Sequence, residues 1–148
     1  MKLIFTSLFL MITLSSFSQL KVVDMPEEEN IGKVKNMFGT FFESYRQGEF
    51  FTIMYKDMNY DQIVEYKSFH MNEKSFNELY ELIMNKWENP PSDSIMIELK
   101  ESFIWLDFKR ALGITNLIIR HAPSKNANIY GRSAALTEKK VKKLFGKK

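Results

Sequence analysis

Residues 94–121, SIMIELKESFIWLDFKRALGITNLIIRH, form the most apolar stretch of the chain outside its first eighteen residues. Three runs rich in Ile, Phe, Trp and Leu are separated by Lys100-Glu101-Ser102 and by Ala111-Leu112-Gly113. This is the pattern of consecutive strands joined by short turns, and it predicts strands over 94–100, 103–110 and 114–121. In the middle run Ile104, Leu106 and Phe108 share one face of the pleat, while Phe103, Trp105, Asp107 and Lys109 share the other. One face is thus wholly apolar and the other mixed, as in a sheet covered on one side and open to water or a partner on the second.

The segments before this core contribute strands and one helix. Over 31–45 the two periodicities compete. Ile31, Val34, Phe38, Phe41, Phe42 and Tyr45 fit a helical face, whereas Gly32 and Gly39 argue against a helix interior. The turn-like Arg46-Gln47-Gly48-Glu49 and the strand-like run at 50–56 tip the balance toward a hairpin joining 38–45 to 50–56. Residues 63–70 alternate as a third strand, with Lys67 and Phe69 on one face and Tyr66 and Ser68 on the other. The period then changes, because Phe76, Leu79, Tyr80, Ile83 and Trp87 recur at helical spacing. Asn72 is the expected N-cap, with Ser75 and Glu78 as an alternative capping box, and Asn89-Pro90-Pro91 ends the helix. After a polar loop over 122–132, Thr137 should cap a short helix over 138–145 that stops at Gly146.

The expected order is therefore β-β-β-α-β-β-β-α. It implies an α+β fold in two layers, a mostly antiparallel sheet of about five to six strands with one long amphipathic helix on one face and a short C-terminal helix. The repeated order hints at duplication, although the halves share no visible residue pattern.

The first residues carry a different message. Lys2 precedes an apolar run from Leu3 to Leu14 and then Ser15-Ser16-Phe17-Ser18, which reads as a secretory signal peptide over 1–18 with Gln19 as the first mature residue. The apolar run falls short of the about 20 residues of a membrane span. Residues 19–30, with Met25-Pro26 and three glutamates, read as a flexible lead-in, and 31–148 as one globular domain. The expected location is periplasmic or secreted.

Composition narrows the chemistry. The chain has 148 residues and a formal net charge of +3, one unit of which belongs to Lys2. So small an excess gives no support to nucleic-acid binding. No cysteine is present, which excludes disulfides, thiolate metal sites, a thiol nucleophile and a lipid anchor on an N-terminal Cys. Asp57-Met58-Asn59-Tyr60-Asp61 copies the first three oxygen ligands of a calcium loop, but Gln62 stands where the loop needs Gly and Ser68 where it needs a bidentate Glu. Neither His70 nor His121 has metal-ligand spacing, and the ordinary reading of each is a strand-end side chain bonded to backbone or solvent. No serine lies in a nucleophile elbow, and no glycine-rich phosphate loop exists. The sequence implies no cofactor, no metal and no catalytic residue.

Two features suit a partner. Phe103 and Trp105 lie on the mixed face of the core strand, and aromatic groups of this kind are enriched at interfaces. Their ordinary reading is a second small cluster under a loop or helix. Lys139, Lys140, Lys142 and Lys143 line the terminal helix, where they could meet an anionic surface or simply be solvated charge complementing the helix C-terminus. By elimination the sequence points to a non-catalytic binding domain of the cell envelope, with an unidentified protein or an anionic surface as partner. The alternatives are an exported hydrolase using Asp107, Glu98 and His121 from dispersed positions, or a structural component of an envelope assembly.

Overall fold

The computed structural model describes residues 23–148; the expected signal peptide lies outside the described residues. The chain runs β1 (Glu28–Asn36), β2 (Gly39–Gln47), β3 (Phe50–Lys56), β4 (Tyr66–Asn72), α1 (Glu73–Asn85), β5 (Ile95–Glu98), β6 (Phe103–Ala111), β7 (Ile114–Ala122), β8 (Gly131–Arg132) and α2 (Glu138–Leu144). The fold is α+β with antiparallel strands, but these form two four-stranded sheets, β1-β2-β3-β4 and β5-β6-β7-β8. This corrects the expected single sheet of five to six strands.

Two strands account for the difference in number. The segment at 31–45 is two strands rather than one. The Asn36 side chain accepts a hydrogen bond from the Phe38 amide, and Gly39 takes a φ of 120°, so the chain reverses at Met37-Phe38 through a residue type suited to that backbone. β1 begins at Glu28, inside the segment expected as lead-in. The second addition is β8, two residues within the expected loop at 122–132, where Arg132 and Gly131 pair with Arg120 and His121. β4 also starts later than expected, at Tyr66, which leaves Ile63 and Val64 in the connection that precedes it.

The helices follow their sequence signals. Asn72 caps α1 by accepting from the Ser75 amide at 2.8 Å, and Phe76, Leu79, Ile83 and Trp87 are buried. Phe76 stacks on Phe51 of β3 at 4.8 Å, and Trp87, just past the helix C-cap, meets Phe108 of β6 edge-on, so the helix packs on the first sheet and the turn that follows it reaches the second. At 13 residues, α1 is shorter than the long helix expected. α2 buries Val141, Leu144 and Phe145 and lies over β1 and β2. Its last carbonyls sit so close to Gly32 that a Cβ there would fall 2.1 Å from the Lys143 oxygen, and the Ser44 hydroxyl of β2 donates to the Leu144 carbonyl.

The alternating inward residues of both sheets merge into one core. Val34, Phe42, Ile53 and Phe69 of the first sheet join Ile104, Leu106, Leu117 and Ile119 of the second, together with the buried stripes of both helices. The second sheet therefore turns its apolar face to the core and its mixed face to water, as its sequence indicated.

Candidate functional site

The mixed face of the second sheet is built row by row from strand register. Met96 of β5, Trp105 of β6, Arg120 of β7 and Arg132 of β8 stand opposite one another. In the next row Glu98 faces Phe103. Trp105 packs beside Phe103 at 6.2 Å between ring centres and meets Tyr130, from the β7–β8 connection, edge-on at 5.3 Å. The Arg120 guanidinium lies 5.6 Å from the Trp105 ring and the Lys125 ammonium 5.7 Å from Phe103, both within cation–π range. Phe103 and Trp105 are half-buried, while Met96 and Tyr130 are exposed.

Arg120 is held by a second set of bonds. Its Nε donates to Asp107 Oδ2 at 2.6 Å and one terminal nitrogen to Oδ1 at 3.1 Å, the two-pronged geometry that makes arginine–carboxylate pairs strong. The same terminal nitrogen reaches Ser94 Oγ at 3.0 Å, and the Ser94 hydroxyl donates to Asp107. Burial alone would raise the Asp107 carboxyl, but the hydrogen bonds from Arg120 and Ser94 outweigh it and hold the group below the usual carboxylate range. These residues border an open polar cavity of about 280 Å³ that also touches Asp93 and Lys109. An ionised carboxylate consumed by a guanidinium is a poor proton acceptor at neutral pH.

The three acid–base candidates from the sequence are not brought together. Asp107 is on the mixed face, tied to Arg120. Glu98 pairs with Lys125 at the rim. His121, one residue past Arg120, points the opposite way into the core, because successive strand residues alternate faces; it is 1% exposed. Its ring lies between Tyr55 and Phe69, with ring centres at 5.9 Å and 5.2 Å, and Nδ1 shares a hydrogen bond of 3.2 Å with Tyr55 Oη. Nε2 has no partner among the described residues. This corrects the expectation of a histidine bonded to backbone or solvent. His70 is half-exposed, with Glu101 3.8 Å away.

A polar latch missed by sequence reasoning sits beside His121. Asp57 is fully buried at the end of β3; it accepts from Lys67 Nζ at 2.6 Å, from the Arg132 amide at 3.0 Å and from the Asn59 amide at 3.1 Å. The Met58 amide donates to the Arg132 carbonyl, and Asn59 Nδ2 to the Tyr130 carbonyl. The residues that imitate a calcium loop thus fasten β8 to the first sheet. Burial would raise the Asp57 carboxyl, yet the Lys67 and backbone hydrogen bonds hold it below its ordinary range. Among the described residues no group of three or more His, Asp or Glu side chains is placed to hold a metal ion.

On α2, Lys139, Lys140 and Lys143 are exposed and Lys142 pairs with Glu138 at 2.7 Å. Lys140 also borders a small cavity of about 90 Å³ between this helix and the β1–β2 hairpin. Compared with protein-family models, curated proteins and solved structures, the chain matches none.

Proposed function

We propose that this chain is a non-catalytic binding domain, exported to the cell envelope or beyond, that meets a protein partner through the mixed face of its second sheet. The observation that carries the reading is the Trp105 cluster. Two half-buried aromatic rings, an exposed Tyr130 and an exposed Met96 stand together on the side away from the core, with Arg120 and Lys125 stacked on the rings. Aromatic residues, Met and Arg are the types enriched where protein surfaces meet. Export rests on the sequence of residues 1–18.

The test is a photo-crosslinking residue placed at position 96, opposite Trp105 in the register, in the chain expressed in its native host. The reading expects one defined protein adduct that disappears when Trp105→Ala is added. No adduct from position 96, or an adduct indifferent to Trp105, would overturn it. A hydrolase reading would need Asp107, Glu98 and His121 to converge, and their placement on opposite faces gives it no support.

A further inference from the structure

The first sheet is an up-and-down meander, so the β1–β2 turn and the β3–β4 connection emerge at the same end of it. Both present apolar side chains to water. Met37 and Phe38 at the turn are 89% and 80% exposed, and Ile63 and Val64 in the connection are 57% and 66% exposed. Exposed apolar residues scattered singly are ordinary, but two adjacent pairs at one end of a sheet are a patch. The Tyr66 hydroxyl donates to the Thr40 carbonyl, which ties the start of β4 back to the start of β2 and keeps this end together.

Cations stand behind the tips. Lys35 and Lys140 border the cavity at the base of the β1–β2 hairpin, and Lys56 lies over the Phe41 ring at 5.8 Å. None of the three makes an ion pair among the described residues. One exposed carboxylate, Asp61, lies in the β3–β4 connection, and Glu65 is beside Lys67. Lys35 precedes Met37 by two strand positions, which sets its backbone about 7 Å behind the tip.

We propose that this end of the first sheet docks on an anionic lipid bilayer, with Met37, Phe38, Ile63 and Val64 entering the headgroup–acyl boundary and Lys35, Lys56 and Lys140 meeting lipid phosphates. The spacing agrees with the chemistry of that boundary. Apolar groups of peripheral proteins sink about 5–10 Å, which brings charges set about 7 Å back to the headgroup level. A protein partner would call for a broad complementary face of about 800 Å², whereas these side chains project from two narrow connections. No helix among the described residues is long and apolar enough to cross a membrane, so the contact is peripheral. This surface is separate from the Trp105 face and does not depend on that reading.

The experiment is co-sedimentation of the chain, purified as its host processes it, with phosphatidylcholine vesicles containing phosphatidylglycerol and with phosphatidylcholine vesicles alone. Two variants are made identically, Met37→Ser with Phe38→Ser, and Lys35→Gln with Lys140→Gln. All three proteins share the same N-terminus, so differences among them read this end of the sheet alone. Binding to the anionic vesicles is expected to fall at least about tenfold in the first variant and several-fold in the second, and to weaken with added salt. Coincident melting curves establish that both variants are folded. Absence of binding by the parent chain, or equal binding by all three, would overturn the proposal. So would a dimer in the parent that becomes monomeric in the Met37→Ser/Phe38→Ser variant, which would make the patch a self-association surface.

Discussion

His121 and Tyr55 join the two sheets through a hydrogen bond of 3.2 Å between Nδ1 and Oη, with the imidazole enclosed against Phe69. Burial, reinforced by the nearby Lys67 charge, pushes the imidazole down to about 4 from an ordinary 6.5. Burial and the charges of Asp57 and Glu65 push the Tyr55 phenol well above its usual value. Both rings are therefore neutral at physiological pH.

This neutrality gives the fold a specific acid dependence. The unfolded chain takes up the imidazole proton near pH 6.5 and the folded chain only near pH 4, so between these values the unfolded state holds more protons. Stability should fall as the pH falls through this window, by about 3 kcal/mol in total. Urea midpoints measured from pH 7 to pH 4 would show the decline, and His121→Phe should flatten it. A midpoint independent of pH in the parent chain would contradict the burial of this side chain.

Below that window a second loss begins. Asp57 and Asp107 are both held below their usual range, so the stability they contribute is present above the unfolded carboxylate value of about 3.9 and is lost as the pH falls through their lower folded values. At neutral pH, Asp57→Ala should cost about 3–5 kcal/mol, because Lys67 keeps a largely buried ammonium without its carboxylate. Lys67→Met with Asp57→Ala should recover part of this. Chemical denaturation of the two variants decides the point, and a double variant less stable than Asp57→Ala would contradict the latch.

Much of the architecture could be read from period. The stripe Phe76, Leu79, Ile83, Trp87 gave α1, and the alternation Ile104, Leu106, Phe108 gave the buried face of β6, because burial acts on side chains at fixed spacing. Period does not say which sheet a strand joins, so two sheets were read as one. The Asp57 latch was hidden for a related reason: two of its donors, Lys67 Nζ and the Arg132 amide, come from positions 10 and 75 residues away. The apolar run at 114–121 ends at His121, which marks it in the sequence as a strand-end residue, whereas β7 continues to Ala122 and His121 itself pairs with Gly131 of β8, so the residue lies inside the sheet. The Met37-Phe38 tip was legible as two exposed-turn residues only once Asn36 and Gly39 were seen to reverse the chain.

Gly32 is where α2 meets the first sheet. A methyl group there would fall 2.1 Å from the Lys143 carbonyl oxygen and 2.4 Å from that of Leu144, so Gly32→Ala should cost about 2–3 kcal/mol and loosen the helix. Hydrogen exchange at the Val141, Leu144 and Phe145 amides is the readout. Unchanged protection there would contradict the packing.

Leu112 offers the opposite case. It occupies the β6–β7 turn at φ 51°, fully exposed, beside Gly113 at φ 79°. Leucine pays to hold this left-handed conformation and buries nothing in return, whereas asparagine tolerates it. Leu112→Asn should therefore raise stability by about 1 kcal/mol, seen as a higher melting temperature. A lower melting temperature would mean that Leu112 has a packing role.

The proposed partner face requires that Trp105 stand outside the core, which β6 fills from its other side with Ile104, Leu106 and Phe108. Thermal unfolding of Trp105→Ala is the decisive measurement for this placement. The variant should fold and lose about 1–2 kcal/mol, the worth of the contacts with Phe103, Tyr130 and Arg120. Failure to fold, or a loss of about 4 kcal/mol or more as for an aromatic removed from a core, would contradict it and make Trp105 part of the protein's structural centre.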